Sequence, residues 1–91
     1  MDTAILHKIS DYLRQTYRLT RTETQICEYL LRGNTRPDLR RLLDANENCL
    51  KWHLKQVYAK TLGDSPLERD KLQRLTALLM RIQNRTNENY T

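Results

Sequence analysis

Ninety-one residues with sixteen Lys/Arg against eleven Asp/Glu, a net charge of +5 and 38% hydrophobic content make one small domain with a thin core. Two glycines, two prolines and no Phe leave little material for hairpins, and the lack of β-branched runs points to an all-α fold. No apolar run approaches the roughly 18 residues of a membrane span and no hydrophobic signal follows Met1, so a soluble, cytoplasmic protein is expected.

The charge is uneven. Residues 35–63 hold six Lys/Arg against three Asp/Glu, whereas residues 1–34 and 64–91 each hold five against four. A basic excess concentrated on one stretch is what a polyanionic partner selects. The two cysteines, Cys27 and Cys49, lie far apart without a CxxC pair or a histidine at ligand spacing. A disulfide framework or zinc site needs more, and both are expected to act as small buried hydrophobes. No metal or other cofactor is expected.

Along the chain, residues 3–17 place Ile5, Ile9, Tyr12 and Leu13 on one helical stripe with Leu6 beside it. This first helix, within residues 1–18, is expected to lie across the domain as a packing layer. Thr20-Arg-Thr-Glu23 is a capping box opening a second helix, which turns Ile26, Cys27, Leu30 and Leu31 inward and stops at Gly33. Thr35-Arg-Pro-Asp38 opens a short third helix through Leu43, with Pro37 in the first turn where its missing N–H is not needed. Asp44-Ala45-Asn46 is a tight break, and Asn46 caps a fourth helix through Lys60. Ser65-Pro66-Leu-Glu68 opens a fifth helix running to about Arg85, with a frayed tail over 87–91.

Projected at about 100° per residue, the fourth helix turns Leu50, Leu54 and Val57 to the core, with His53 and Tyr58 at the margins. Its opposite face carries Asn48, Trp52, Lys55 and Ala59, flanked by Lys51 and Gln56. Lysines suit guanine edges or phosphate, amides suit adenine, and alanine permits close approach. The same residues would also make a solvated helix face. Trp52, aimed away from the core, calls for a cover: a base edge, a sugar, a protein partner or the first helix. His7 and His53 read as surface or packing residues.

These features together resemble the LuxR/GerE-type helix-turn-helix of bacterial regulators. The resemblance covers residues 19–63 and runs ungapped from Leu19 to Lys60. Its carriers are Leu19-Thr20-Arg21-Thr22-Glu23, the apolar pair Ile26-Cys27, Gly33, Asp38-Leu39 and Leu43. Leu50, His53, Val57, Tyr58 and Lys60 follow at the family's spacing. Arg40 departs from the family's small residue at the helix crossing and must reach outward or widen it. Pro37 stands where lysine is common, Cys49 where threonine is, and Glu47 puts a negative charge at the helix start.

The resemblance implies a five-helix domain with a central helix-turn-helix over 19–63. Its implied function is sequence-specific binding of double-stranded DNA in transcription regulation. Asn48, Lys51, Trp52 and Lys55 are the expected base contacts, and Arg21, Thr35, Arg36 and Lys60 the phosphate contacts. In the last helix, Leu72, Leu75, Leu79 and Ile82 fall at 3-4-3 spacing. This seam is expected to pair with a second copy as a homodimer over residues 64–86, the alternative being packing on the chain's own first helix. No Ser/His/Asp set, glycine-rich phosphate loop or paired carboxylates suggests catalysis, so an enzyme is not expected. A different class remains open: an adaptor with helix-turn-helix shape that binds a protein, motivated by Glu47, Arg40 and exposed Trp52.

Overall fold

The structure is a computed structural model that describes residues 3–63 and 71–90, with side chains described through Thr86. Five helices account for it: α1 (Thr3–Tyr17), α2 (Arg21–Leu31), α3 (Arg36–Leu42), α4 (Glu47–Thr61) and α5 (Lys71–Tyr90). The fold is all-α, and no helix among the described residues is long and apolar enough to cross a membrane. The expected capping box at Ser65–Glu68 and a helix start at Pro66 lie outside the described residues. At the other end α5 continues to Tyr90, beyond the expected end at Arg85.

Local signals set the helix starts. At α2 the Thr20 hydroxyl accepts the Glu23 N–H at 3.2 Å, and the Glu23 carboxylate accepts the Thr20 N–H at 2.9 Å. Two otherwise unbonded donors are thereby satisfied. At α3 the Asp38 carboxylate accepts both the N–H and the hydroxyl of Thr35, at 2.9 and 3.0 Å. At α4 the Asn46 side chain accepts the Cys49 N–H at 2.8 Å.

Two ends close alike. After α2, Gly33 at φ 87° carries a Schellman turn, with Gly33 N–H bonding Leu30 O at 3.0 Å and Asn34 N–H bonding Tyr29 O at 3.1 Å. After α3 the same turn is made with Asp44 at φ 49°, its N–H on Arg41 O at 3.2 Å and Ala45 N–H on Arg40 O at 3.0 Å. The break expected at 44–46 is thus a left-handed residue followed by a helix cap.

The core lies where α1, α2, α4 and α5 meet. Helix α5 packs against α1, α2 and α4, helix α2 against α1 and α4, and α3 leans on α4. Ile9 and Leu13 of α1, Ile26 of α2, Leu39 of α3, Leu50 and Val57 of α4, and Leu75 and Leu79 of α5 are all fully buried. At its centre the α5 seam takes the alternative arrangement, packing within its own chain. Leu75 and Leu79 are each 0% exposed inside the chain's own core, and Leu72 and Ile82 pack partly buried against it. In this packing Leu75 and Leu79 are not available to a partner helix.

Two smaller expectations also change. Tyr12 is 42% exposed, lying at the edge of the α1 stripe with its ring edge-on to Tyr17 at 6.3 Å. The inward position is taken by Ser10, which is buried and donates to Glu28 Oε1 at 2.5 Å. A serine is admitted because its hydroxyl finds that acceptor. Cys27 is buried as expected, but Cys49 is exposed, because it falls in the first turn of α4, off the line of Leu50, Leu54 and Val57.

Candidate nucleic-acid interface

Helix α4 is backed by the core through Leu50, Leu54 and Val57. Its other side is open: Asn48, Lys51, Trp52, Lys55 and Ala59 are exposed and Gln56 is half-buried. Trp52 is 59% exposed, and among the described residues the one aromatic ring it meets is His53, edge-on at 5.2 Å. The first helix does not cover it. All four expected base-contacting residues thus share one accessible helix.

Ion pairing separates the basic residues sharply. Arg36 Nη2 donates to Glu47 Oε1 at 2.7 Å, and Arg40 Nη1 approaches Glu47 Oε2 at 3.7 Å. The two arginines therefore neutralise the acid at the start of α4, and Arg40 reaches outward past the α3–α4 crossing. Arg41 pairs with Asp38. Lys60 Nζ donates to Glu23 Oε1 at 2.6 Å, where Glu23 is 3% exposed. Of the six Lys/Arg between residues 35 and 63, only Lys51 and Lys55 have no acidic partner among the described residues.

This geometry sorts the expected phosphate contacts. Lys60 holds a buried carboxylate, a bond it would have to share or break to reach a phosphate. Arg36 is shared with Glu47 and keeps part of its guanidinium for other acceptors. The Thr35 hydroxyl is engaged by Asp38. Arg21 is exposed in the first turn of α2, the helix that Glu23 ties to Lys60 of α4.

Beside Lys51 and Lys55 runs a groove of about 230 Å³ between α3, α4 and the start of α5. Its cations are Arg36, Lys51, Lys55 and Lys71, and its apolar wall is Leu54, Leu72 and the Tyr58 ring. Burial pushes the Tyr58 phenol above its usual value, against the opposing pull of Arg36, so it stays protonated at neutral pH. The Nε–H of Arg36 is buried without a hydrogen-bond partner among the described residues. Lys71 was not among the residues expected from sequence, since nothing near it in the chain signals that this part of α5 lies beside α4. Leu72, assigned to the seam, lines the groove instead.

Comparison with protein-family models, with curated proteins and with solved structures yields no match.

Proposed function

We propose that the protein is a DNA-binding transcriptional regulator of the LuxR/GerE helix-turn-helix type that docks α4 into the major groove. The observation that carries this reading is the pair Lys51 and Lys55, one helical turn apart, exposed and without acidic partners among the described residues. Cations left unpaired on one accessible helix, while neighbouring arginines and Lys60 are neutralised, attract a polyanion at that helix. Asn48 and Trp52 share the exposed side and supply an amide and a flat apolar surface for base edges. Arg21, Thr35 and Arg36, at the starts of α2 and α3, serve as backbone contacts, with Lys60 held in the ion pair to Glu23. A homodimer of this regulator would pair through a surface other than Leu75 and Leu79, such as the α5 edge at Met80, which is 47% exposed.

The test is a fluorescence-anisotropy titration of mixed-sequence duplex DNA between about 50 and 200 mM salt, where a backbone-contacting protein loses affinity steeply. The Lys51→Gln/Lys55→Gln double variant should lose both the affinity and part of the salt slope. Binding that ignores salt, or a double variant that binds as tightly as the parent, rejects the reading.

A second reading has its own observation. The 59% exposed indole of Trp52 and the 49% exposed Leu42 of α3 are large apolar groups facing solvent. Such groups suit a protein partner. Under this adaptor reading Trp52→Ala abolishes capture of the partner and leaves duplex affinity untouched. Under the DNA reading it lowers duplex affinity.

A further inference from the structure

The groove between α3, α4 and α5 combines clustered cations and an unused donor with an apolar wall, and the wall exceeds what a DNA backbone requires. Lys51 and Lys55 from α4 and Lys71 from α5 converge on it without an acidic partner among the described residues, and Arg36 adds a fourth cation. Like charges brought together repel, and a concave apolar wall strengthens their field on anything placed between them. A phosphodiester strand asks only for cations and donors. This groove also presents Leu54, Leu72 and the protonated Tyr58 phenol, a wall suited to an uncharged ring. Arg36 contributes a buried Nε–H that no group in the described structure uses, and an unsatisfied donor of this kind is costly to keep.

We propose that this groove is a binding site for a compact phosphorylated metabolite with one ring. Its phosphate lies among Arg36, Lys51, Lys55 and Lys71, and its ring lies against Tyr58, Leu54 and Leu72. The volume of about 230 Å³ falls below the roughly 300 Å³ at which pockets for drug-sized ligands begin, so the ligand is small or extends into solvent. Binding itself is independent of the DNA reading. One consequence rests on that reading: Lys51 and Lys55 serve both ligands, so the metabolite and duplex DNA exclude each other, and a metabolite concentration would control DNA binding.

Isothermal titration calorimetry on the full chain, without DNA, tests the site with uridine monophosphate as probe. Uridine and inorganic phosphate represent its two halves. Saturable one-to-one binding of the monophosphate is expected, tighter than either half. Lys71→Gln, at the half-exposed first residue of α5, should weaken it about tenfold, as loss of one charge-assisted hydrogen bond does, with an unchanged circular dichroism spectrum. Absence of saturable binding, inorganic phosphate binding as tightly as the nucleotide, or Lys71→Gln without effect each overturns the proposal. If Lys71→Gln lowers duplex affinity while the nucleotide does not bind, the groove belongs to the DNA footprint and the metabolite site is rejected. Nucleotide binding that persists in a protein with no duplex affinity rejects the DNA reading alone.

Discussion

Glu23 gives one carboxylate oxygen to two donors, the Thr20 N–H at 2.9 Å and the Lys60 ammonium at 2.6 Å, so a helix cap and a tertiary ion pair share one side chain. Burial raises its pKa, but the bonds from Lys60 and Thr20 and the Lys60 charge outweigh it and hold the carboxyl below its ordinary 4.5. A depressed folded pKa means stability that is complete above the unfolded value and lost as pH falls through the folded one. Thermal melts should therefore show a loss of stability below pH 4.5 that Glu23→Gln reduces, the remainder including Asp38, whose carboxyl the bonds from Thr35 also hold below its ordinary value. Lys60→Met should cost about 2–3 kcal/mol, somewhat less than the roughly 3–5 for a fully buried pair, because the lysine still reaches solvent. Chemical denaturation measures it, and an unchanged midpoint would return Lys60 to the surface contacts. At Asp44, φ is 49°, and glycine adopts this left-handed backbone without the Cβ clash. Asp44→Gly should raise stability by about 0.5 kcal/mol, the avoided strain being partly offset by a freer unfolded chain.

Helix α4 divides its surface between core, ion pair and open face, and its two ends behave differently. At the start, Asn46 caps the helix while Arg36 and Arg40 hold Glu47, so the negative charge that seemed to oppose a polyanion is already neutralised. At the far end Lys60 is tied to α2. The middle, Lys51 and Lys55, is where charge remains available. Each single change to Gln should weaken duplex binding by about 1–3 kcal/mol where the lysine meets a base edge, and shift the salt slope by about one where it meets a phosphate. The cysteines report on the same helix. Burial and the nearby Glu23 and Glu28 push the Cys27 thiol up to about 12, so it stays protonated and inaccessible. Exposed Cys49 should alkylate in the native protein, and Cys27 only after unfolding. Duplex DNA seated on α4 should slow alkylation of Cys49, and equal rates with and without DNA would count against docking through this helix.

For the whole molecule, the decisive choice is where α5 places its leucines. With Leu75 and Leu79 at 0% exposure in the same core as Ile9, Leu13 and Ile26, α5 completes the monomer. Leu79→Ala should cost about 2–5 kcal/mol, the range for deleting a large buried aliphatic group. The melting temperature of the parent should not change with protein concentration. A rise with concentration would mean that folded copies associate, through the seam or through another surface such as the Met80 edge of α5, and Leu79→Ala against Met80→Glu would separate the two.

What the residues determined unaided is local. The Thr20–Glu23 box, Gly33 as the end of α2, Asn46 as the cap of α4, and the division of α4 into a Leu50/Leu54/Val57 side and a Lys51/Lys55 side all depend on groups within about four residues of one another. Backbone hydrogen bonding and helical periodicity therefore make them legible in the linear order. Tertiary structure decided which of two partners each ambiguous side chain takes. The α5 stripe suited a second copy as well as α1, since an apolar seam does not encode who covers it. Lys60 and Lys55 look alike as lysines on one helix, yet one meets Glu23, thirty-seven residues away, and the other meets no acid among the described residues. Lys71 joins the groove through the approach of α5 to α4. Contacts between residues so distant in the chain depend on how the helices pack, and side-chain type and spacing along one helix do not contain that information.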